Sequence, residues 1–225
     1  MLIFENVTKR YKDKYALDDV TFAIDEGEFV FLVGPSGAGK STVVKLAIQQ
    51  EKPTSGKIIF NSKIRVDKLS GSKLAKYRSM IGIIFQDFKL IETKTVWENV
   101  AFVLEVCGKP TREIKKAVEY VLDLVGLLDK KDAFPKTLSG GEQQRAAIAR
   151  AVVNEPLMLI ADEPTGNLDR SNTWDIIQLL NKINNWGTTV IVATHDVEVV
   201  NSLNKRVIAF ENGRVIRDYI GGYEL

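Results

Sequence analysis

The sequence contains very little of two residue types that often mark function. Among its 225 residues there is one cysteine, Cys107, and one histidine, His195. A single cysteine excludes an intrachain disulfide, which suits a reducing compartment. Because no second thiol exists to pair with it, we expect Cys107 to be buried as a small apolar residue in the run that begins at Val100.

The sequence also lacks a large excess of charge of one sign and any long apolar run. The formal net charge is +2 and no long basic stretch occurs, which argues against electrostatic binding of nucleic acid. No run approaches the roughly eighteen apolar residues of a membrane-spanning helix, and the first residues lack the basic start and apolar stretch of a signal peptide. We therefore expect a cytoplasmic protein that does not itself cross a membrane.

Apolar residues are abundant enough for one substantial core. They make up 45% of the chain, and the sequence has no repeat, low-complexity tract or long linker. Short β-rich runs dominate both ends, whereas residues 96–155 have helical periodicity. We expect an α/β fold in one domain, residues 1–225, with a core of residues 1–87 and 156–225 and an inserted helical lobe at residues 88–155.

The predicted elements follow these two periodicities. The expected strands are Leu2–Val7, Leu17–Ile24, Glu28–Val33, Gly56–Phe60, Ile81–Phe85, Leu157–Ala161, Thr188–Ala193, Arg206–Phe210 and Arg214–Tyr219. The expected helices are Lys40–Gln50, Val96–Cys107, Thr111–Val125, a segment that opens at Ser139, and Ser171–Trp186 with Ser171 as its N-cap. Residues 211–213, Glu-Asn-Gly, predict a hairpin turn, and Tyr11 is expected in a loop.

Residues Gly34 to Ser41 match the pattern G-x-x-x-x-G-K-[ST], between a buried strand and a helix. Glycines in this pattern let consecutive backbone amides curl around phosphate groups, and the helix N-terminus adds positive charge. Lys40 then reaches the β- and γ-phosphate oxygens, and Ser41 is a ligand of Mg²⁺. A plain glycine-rich turn is the alternative, but the strand before it and the helix after it favour a phosphate-binding loop.

Polar residues also follow three other predicted strands, at the end where open parallel sheets bind ligands. They are Gln86, the neighbours Asp162 and Glu163, and the only histidine, His195. Because adjacent strand residues point in opposite directions, one carboxylate can organise Mg²⁺ while the other faces an attacking water. The alternatives are an acidic turn before Pro164 for the carboxylates and a structural role for Gln86 and His195.

The segment Leu138–Arg145 reads Leu-Ser-Gly-Gly-Glu-Gln-Gln-Arg and opens the last helix of the predicted lobe. Ser139 and Glu142 form the Ser-x-x-Glu pattern of a capping box, which predicts a helix start. Gly140 and Gly141 allow close approach to the amides of that helix, so an anion is the expected ligand. Capping and anion binding are compatible with each other.

The order of these motifs resembles the nucleotide-binding domain of ABC ATPases. The resemblance extends from Phe4 to about Arg217 and covers the phosphate loop, Gln86, the Leu-Ser-Gly-Gly-Glu-Gln segment, the Ala-Asp-Glu end of the second buried strand and His195. It implies a P-loop NTPase of the ABC ATPase fold, with a RecA-like core, an antiparallel β part and the inserted helical lobe. The implied reaction is hydrolysis of ATP with Mg²⁺ as cofactor.

The resemblance also implies a role for individual residues. The expected catalytic residues are Glu163, which orients or deprotonates the water, His195, Lys40 and Gln86. The expected Mg²⁺ ligands are Ser41, Gln86 and Asp162. The expected ATP contacts are Tyr11, which stacks on adenine, Gly34, Pro35, Ser36, Gly37, Ala38, Gly39, Lys40, Ser41, Thr42, Gln86, Ser139, Gly140, Gly141 and Asp169. Packing is the alternative for Tyr11.

In the resembling family, two copies face each other head to tail with ATP between them. Each phosphate loop is then closed by the Ser-Gly-Gly of the other copy, residues 139–141, so a homodimer is the expected active form. Asp169 matches a loop that communicates between the two sites. That loop more often begins Ser-Ala, so Gly166 and Asn167 indicate a narrower branch of the family.

Several stretches indicate the branch that serves bacterial cell division. They are Phe85–Leu90, Thr95–Val100, Val125–Asp129, Phe134–Pro135, residues 141–145 and Ala161–Asp169. In that branch the ATPase lies on the cytoplasmic face of the membrane and works with an integral membrane protein of the FtsX type to control peptidoglycan hydrolysis at the septum. ATPases for lipoprotein release and for macrolide or peptide export share Ala161–Asp169 and are the alternative. Trp97 and the pair Gln49–Gln50 depart from the cell-division pattern.

The surface that would contact a membrane partner is expected around residues 86–90 and the helical lobe. Phe88, Leu90 and Ile91 are its apolar candidates, and burial within the lobe is the alternative. A soluble ABC protein that acts on DNA or ribosomes is disfavoured, because the chain has neither a second cassette nor a long coiled coil.

Overall fold

The computed structural model describes residues 1–222, and their packing forms two compact units. Unit 1 comprises Met1–Arg78 and the chain from Ile183 onward, and unit 2 comprises Ser79–Lys182. The single domain and its lobe at residues 88–155 stay a prediction.

Both units contain strands and helices. The strands are β1 (Leu2–Tyr11), β2 (Lys14–Ile24), β3 (Phe29–Val33), β4 (Ser55–Phe60), β5 (Ile64–Arg65), β6 (Ile81–Ile84), β7 (Met158–Asp162), β8 (Thr189–Ala193), β9 (Arg206–Glu211) and β10 (Arg214–Ile220). The α-helices are α1 (Lys40–Ala47), α2 (Gly71–Arg78), α3 (Val96–Val106), α4 (Thr111–Leu124), α5 (Gly140–Val152), α6 (Arg170–Asn185) and α7 (Val197–Ser202). The predicted α/β class is confirmed. No helix within residues 1–222 combines the length and the apolar content needed to cross a membrane.

The first sheet of unit 1 is antiparallel, in the order β2-β1-β4-β5. β1 and β2 extend beyond their predicted limits at Val7 and Leu17, because Tyr11 pairs with Lys14 across a short turn. Tyr11 is therefore the last residue of β1 and does not lie in a loop.

In the second sheet of unit 1, β3 lies between β9 and β8, in the order β10-β9-β3-β8. β3 is parallel to both neighbours, with Leu32 opposite Ala193 and Val33 opposite Ala209. Every residue of β3 and β8 is buried, as continuous apolar runs predict for parallel strands that are covered on both faces. The segments that follow β3 and β8 therefore begin side by side.

The C-terminal end of α1 is held by α2. The Tyr77 hydroxyl donates to the carbonyl of Ala47, and the Arg78 guanidinium donates to the carbonyls of Ile48 and Gln49 at 3.1 Å each. Carbonyls at a helix end have no partner within the helix, so these side chains supply one. The sequence prediction omits α2 and carries α1 three residues too far.

Unit 2 contains the parallel pair β6 and β7, with Ile84 opposite Ala161. Its helices α3, α4 and α5 share an apolar core, as their spacing of apolar residues predicts. Members of this core include Val100, Leu104, Val118, Leu122, Ala146 and Ala149.

Two further predictions are wrong, both near the ends of helices. Cys107 is exposed rather than buried, because it is the C-cap of α3, where the chain leaves the apolar core. α6 begins at Arg170, and the carboxylate of Asp169 accepts a hydrogen bond from the Asn172 N–H at 2.9 Å. Asp169 is thus the N-cap, and Ser171 lies inside the helix.

The hairpin predicted at residues 211–213 is confirmed. β9 and β10 pair in antiparallel fashion, and the turn residues Asn212 and Gly213 have φ values of 48° and 78°. Two consecutive positive φ values are typical of the turn that matches the twist of a hairpin.

Asn99 in α3 is fully buried and fixes the segment that precedes this helix. Its Oδ1 accepts a hydrogen bond from the Ile91 N–H at 2.7 Å. Its Nδ2 donates to the carbonyls of Ile91, Lys94 and Thr95 at 2.9 to 3.1 Å. One side chain therefore satisfies backbone groups that would otherwise be unpaired in an irregular segment.

We expect Asn99→Ala to lower the free energy of unfolding by about 2–4 kcal/mol, because the backbone groups of residues 91–95 lose their partner. Urea titration measures this loss. Asn154→Ala is the matched control, since it removes a single hydrogen bond of 2.9 Å to the Ser79 carbonyl and should cost about 1 kcal/mol. Equal losses in the two variants would contradict an organising role for Asn99.

Candidate functional site

The phosphate loop of unit 1 has glycine where the backbone requires it. Gly34 directly follows β3 with a φ of 141°, and a Cβ there would lie 2.2 Å from the Phe210 carbonyl oxygen. Gly39, with a φ of 113°, would place a Cβ 2.7 Å from Leu17 Cδ2 and 2.8 Å from the Ala16 carbonyl oxygen. No side chain fits at either position, so the loop lies tightly against its own unit.

Positive charge is concentrated in this loop. The Lys40 side chain is only 6% exposed, and its Nζ donates to the carbonyls of Gly34 at 2.6 Å and Pro35 at 3.2 Å. Gly39 is the N-cap of α1 and has no side-chain oxygen to offer the first turn, where Ser41 is exposed and Thr42 half-buried. A buried ammonium and a helix N-terminus in one loop form an anion-binding arrangement.

The remaining residues of the phosphate loop differ in exposure. Pro35, Ser36 and Gly37 are exposed, whereas Ala38 is buried and its N–H donates to the Pro35 carbonyl at 3.1 Å. Exposed residues at the tip and buried ones at the base leave the tip accessible to a ligand.

His195 lies in unit 1, at the same end of the strands as the phosphate loop. It follows β8, and the Thr194 N–H donates to the Leu32 carbonyl of β3 at 3.0 Å. The Asp196 N–H donates to Thr194 Oγ1, and the Asp196 carboxylate caps α7 by accepting from the Val199 N–H, both at 3.1 Å. The structure thus brings the exposed His195 and the phosphate loop to one end of adjacent strands.

Tyr11 lies at the end of β1 with 41% of its surface exposed. The Lys9 ammonium is 4.7 Å from the centre of its ring. The next strand reaches the phosphate loop through Ala16 and Leu17, which contact Gly39. Stacking of Tyr11 on adenine stays a prediction.

Unit 2 brings together Gln86, Asp162 and Glu163. Gln86 lies just beyond the end of β6, Asp162 is the last residue of the adjacent β7, and Glu163 follows it. Glu163 has a φ of 49°, in the left-handed region that a glutamate rarely adopts. β7 ends at Asp162, one residue beyond the predicted Ala161, and Glu163 lies outside the strand. A backbone turn rather than strand alternation therefore sets the direction of Glu163.

The segment after Glu163 folds back onto Gln86. The Gly166 N–H donates to the Glu163 carbonyl at 3.2 Å, and a Cβ at Gly166 would lie 3.1 Å from Gln86 Nε2. Asn167 Nδ2 donates to the Gln86 carbonyl at 3.1 Å. Asp169 ends the segment, and hydrogen bonds from Asn172 hold the pKa of its carboxyl below the usual value.

The N-terminus of α5 has the predicted capping box. Glu142 Oε2 accepts from the Ser139 N–H at 2.8 Å and from Ser139 Oγ at 2.9 Å, while the Glu142 N–H donates to Ser139 Oγ. Lys130 forms an ion pair with Glu142. The hydrogen bond from Lys130, followed by those from Ser139, lowers the pKa of Glu142 to about 2.

The two glycines of this helix start differ. A Cβ at Gly141 would lie 2.1 Å from Asn172 Oδ1, so packing within unit 2 requires glycine there. A Cβ at Gly140 would meet its nearest neighbour, Leu168 Cδ2, at an ordinary 3.6 Å. Contacts within the unit therefore do not explain glycine at position 140.

Three residues that organise unit 2, Gln144, Arg150 and Asn172, have contacts that no sequence pattern predicted. Gln144 is fully buried, donates to the Pro164 carbonyl at 2.6 Å, and has an Oε1 without a hydrogen-bond partner among residues 1–222. Arg150 donates to the carbonyls of Phe88 and Lys89, and Asn172 contacts Asp169 and Gly141. The motif contained Gln144 but gave no indication of what it would contact.

Within the described residues, no cluster of three or more His, Cys, Asp or Glu side chains is arranged so that it could hold a metal ion. Such a cluster is not required for Mg²⁺, which commonly takes one or two protein oxygen ligands and completes its octahedron with water and substrate phosphate. The Ser41 hydroxyl, the Gln86 amide oxygen and the Asp162 carboxylate are all oxygen donors, so the chemistry of the predicted ligands fits Mg²⁺.

Known proteins resemble the chain along nearly its whole length. A family model described as ABC transporter matches residues 17–166. The cell division ATP-binding protein FtsE of Mycobacterium tuberculosis H37Rv is 54% identical over 220 residues, which cover 97% of this chain and 95% of that protein. FtsE of Bacillus subtilis 168 is 51% identical, with coverage of 97% and 96%, and FtsE of Escherichia coli K12 is 45% identical, with coverage of 96% and 97%.

Solved ATP-binding cassettes have the same fold. The cassette MJ0796, solved as a dimer in a post-hydrolysis state bound to ADP and Pi, matches with a TM-score of 0.89 and 39% identity over 98% of both chains. CbiO1 of Clostridium perfringens, part of the transporter complex cbiONQ, matches with a TM-score of 0.88 and 36% identity over 96% of this chain and 87% of that one. The predicted cassette fold is confirmed.

The depressed pKa of Glu142 predicts a pH-dependent contribution to stability. A carboxyl whose pKa is lower in the folded state stabilises the fold above its ordinary pKa, near 4.5, and loses this contribution as the pH falls toward 2. We expect Glu142→Gln to be less stable than the original protein by about 1 kcal/mol at pH 7. Urea titrations from pH 7 to pH 3 should find this difference shrinking below pH 4.5. A stability difference that is constant with pH would contradict the lowered pKa of Glu142. In a Lys130→Met background, the difference in stability caused by Glu142→Gln should be smaller at every pH.

Proposed function

Because the chain belongs to the ABC transporter family and is an ATPase of the FtsE type, we propose that it is the ATP-hydrolysing subunit of an FtsE–FtsX-type complex in bacterial cell division. The observation that carries this proposal is its similarity to FtsE proteins from three bacteria over nearly the full length of each chain. ATP-driven closure of an ATPase dimer would move the membrane partner and so control septal peptidoglycan hydrolysis. The protein would be peripheral, on the cytoplasmic face of the membrane at the septum.

The chemistry proposed for unit 1 is binding of the phosphates of ATP. Lys40 and the amides at the start of α1 neutralise negative charge on the β- and γ-phosphates, and His195 contacts the γ-phosphate. The burial of Lys40 supports this role, because an ammonium that is already desolvated interacts more strongly with phosphate than one in water. Tyr11 stacks on the adenine.

The chemistry proposed for unit 2 is activation of water. Glu163 orients the water and accepts its proton as the water oxygen bonds to the γ-phosphorus and the bond to the bridging oxygen of ADP breaks. The residues proposed to hold Mg²⁺ are Ser41, Gln86 and Asp162. When bound, that ion neutralises charge on the β- and γ-phosphate oxygens.

The proposed active form has two copies of the chain with ATP between them. The dimeric MJ0796 cassettes support this assembly. Gly140 supports it independently, since its own unit leaves room for a side chain there. We infer that the phosphate of an ATP bound to the other copy approaches residues 139–141 and excludes a Cβ at position 140.

Gly140→Ala tests the dimer. We expect the variant to fold with unchanged or slightly higher stability, because alanine is the better helix former, and to lose ATP turnover by at least about tenfold, because its methyl group blocks phosphate approach. Gly141→Ala is the matched control and should lose stability through its clash with Asn172. Thermal unfolding and steady-state ATPase assays measure both effects, and normal turnover by Gly140→Ala would refute the dimer contact.

Glu163→Gln tests the biological assignment. The amide cannot accept the proton, so we expect ATP to bind with normal affinity while turnover falls by at least about a hundredfold and the ATP-bound dimer accumulates. Expressed in its native host with ATP and Mg²⁺, the trapped variant should capture an integral membrane protein of the FtsX type, identified by mass spectrometry after solubilisation.

Two results would contradict this scheme at different levels. Wild-type turnover by Glu163→Gln would refute the catalytic assignment. Capture of a lipoprotein-releasing or export permease would keep the ATPase chemistry and overturn the role in cell division. Lys182→Gln, an exposed-helix control outside the proposed site, should turn over ATP normally and capture no more partner than the original protein.

A further inference from the structure

The segment after β6 has a backbone conformation that needs external support. We call residues 86–91 the Gln86 loop. Within it, Phe88 and Lys89 have φ values of 58° and 50°. Two consecutive non-glycine residues in the left-handed region are unfavourable, because each Cβ crowds a neighbouring carbonyl. Contacts from elsewhere in unit 2 must therefore hold this loop.

Arg150, in the last turn of α5, supplies those contacts. One terminal nitrogen of its guanidinium donates to the Phe88 carbonyl at 2.8 Å and the other to the Lys89 carbonyl at 2.5 Å. Burial lowers the pKa of Arg150, and among residues 1–222 the guanidinium donates to carbonyls and not to a carboxylate. A planar fork can hold two adjacent carbonyls at once, which a lysine ammonium does less well.

Both ends of the Gln86 loop are also held. The Gln86 carbonyl accepts from Asn167, and the Ile91 backbone is paired with Asn99. Arg150 thus holds the middle of the loop, between these two anchors. If the middle is released, the left-handed residues can relax, and Gln86 shifts with them.

The same helix contacts the segment after Glu163. Gln144, nearer the N-terminus of α5, donates to the Pro164 carbonyl, and Gly141 lies against Asn172. α5 therefore connects the Gln86 loop to the segment that carries Glu163. Arg150 is the link at the loop end of this connection.

We propose that Arg150 is a positioning residue for ATP hydrolysis, which holds the Gln86 loop on α5 and so fixes Gln86 relative to Glu163. This inference rests on the proposed catalytic role of Gln86. The hydrogen bonds that Arg150 makes within residues 1–222 go to the carbonyls of Phe88 and Lys89 in this loop. Its effect on the reaction passes through the loop.

The first test is a kinetic comparison of Arg150→Met and Arg150→Lys in the full chain. Methionine keeps an aliphatic stem and removes both donors, so we expect kcat to fall about tenfold while KM for ATP changes by less than about twofold. Lysine keeps the charge and can bond one carbonyl, so its kcat should lie between that of the original protein and that of Arg150→Met. In a Gln86→Ala background, Arg150→Met should lower kcat no further, because the two residues act through one route.

The second test observes the loop directly. Limited digestion with trypsin, followed by mass spectrometry, measures cleavage after Lys89. We expect Arg150→Met to accelerate this cleavage by about tenfold, because the released loop fits a protease better than the held one. Arg112→Met removes an exposed arginine from α4 and should change nothing. Leu122→Ala lowers overall stability in the same apolar core and should not accelerate cleavage after Lys89 at a temperature where it remains folded.

Each result decides between the alternatives. Unchanged cleavage after Lys89 in Arg150→Met, or equal acceleration in Leu122→Ala, would overturn the proposal. Losses of kcat that multiply in the double variant would also overturn it, since Arg150 would then act by another route. Normal turnover by Gln86→Ala would refute the catalytic role of Gln86, and the loop-holding role of Arg150 would then be decided by the digestion alone. If Arg150→Met does not fold, Arg150→Lys carries the same tests with smaller expected effects.

Discussion

The geometry of unit 1 depends on the close approach of two backbone segments, the residue that follows β3 and the strand β9 beside it. β9 lies beside β3, and the Phe210 carbonyl leaves no space at Gly34 for a side chain. The loop that starts there is therefore pressed onto the sheet, and Gly39 repeats the constraint against β2 at its other end. Because α2 holds the far end of α1, the loop is fixed before any ligand arrives. For the phosphate binding proposed for this loop, a preformed geometry avoids most of the reorganisation that a flexible loop would undergo.

Unit 2 is organised by polar contacts around a helix rather than by close backbone packing. The apolar core of this unit is formed by residues of α3, α4 and α5 that recur with helical spacing. The unusual features lie at the edge of that core. Within residues 1–222, Gln144 Oε1 has no hydrogen-bond partner and Arg150 donates only to carbonyls, while residues 88, 89 and 163 have left-handed backbone conformations. Local violations of this kind are tolerated where function requires a particular geometry.

The sequence predicted the fold and the main motifs because both leave strong local patterns. The buried runs of β3, β7 and β8 are continuous and apolar, and the glycines of the phosphate loop have a fixed spacing. α2 escaped prediction because its sequence, Gly-Ser-Lys-Leu-Ala-Lys-Tyr-Arg, is mostly polar and its anchoring residues make contacts only after folding. Arg150 escaped because nothing in a helical segment indicates which carbonyls, about sixty positions earlier, its side chain will bond. Cys107 was misplaced because an apolar run does not reveal the turn at which a helix leaves the core.

At Glu163, the residue type that suits the backbone conformation differs from the one that the proposed chemistry requires. Glycine and asparagine adopt a φ of 49° more readily than glutamate does, so either would relieve local strain while removing the carboxylate. A laboratory selection for thermal resistance alone would therefore enrich proteins without this carboxylate, which the proposed mechanism requires as the acceptor of the water proton. With the role proposed for Glu163, the more stable variant and the active one are different molecules, so thermostability engineering of this chain requires an activity screen in parallel.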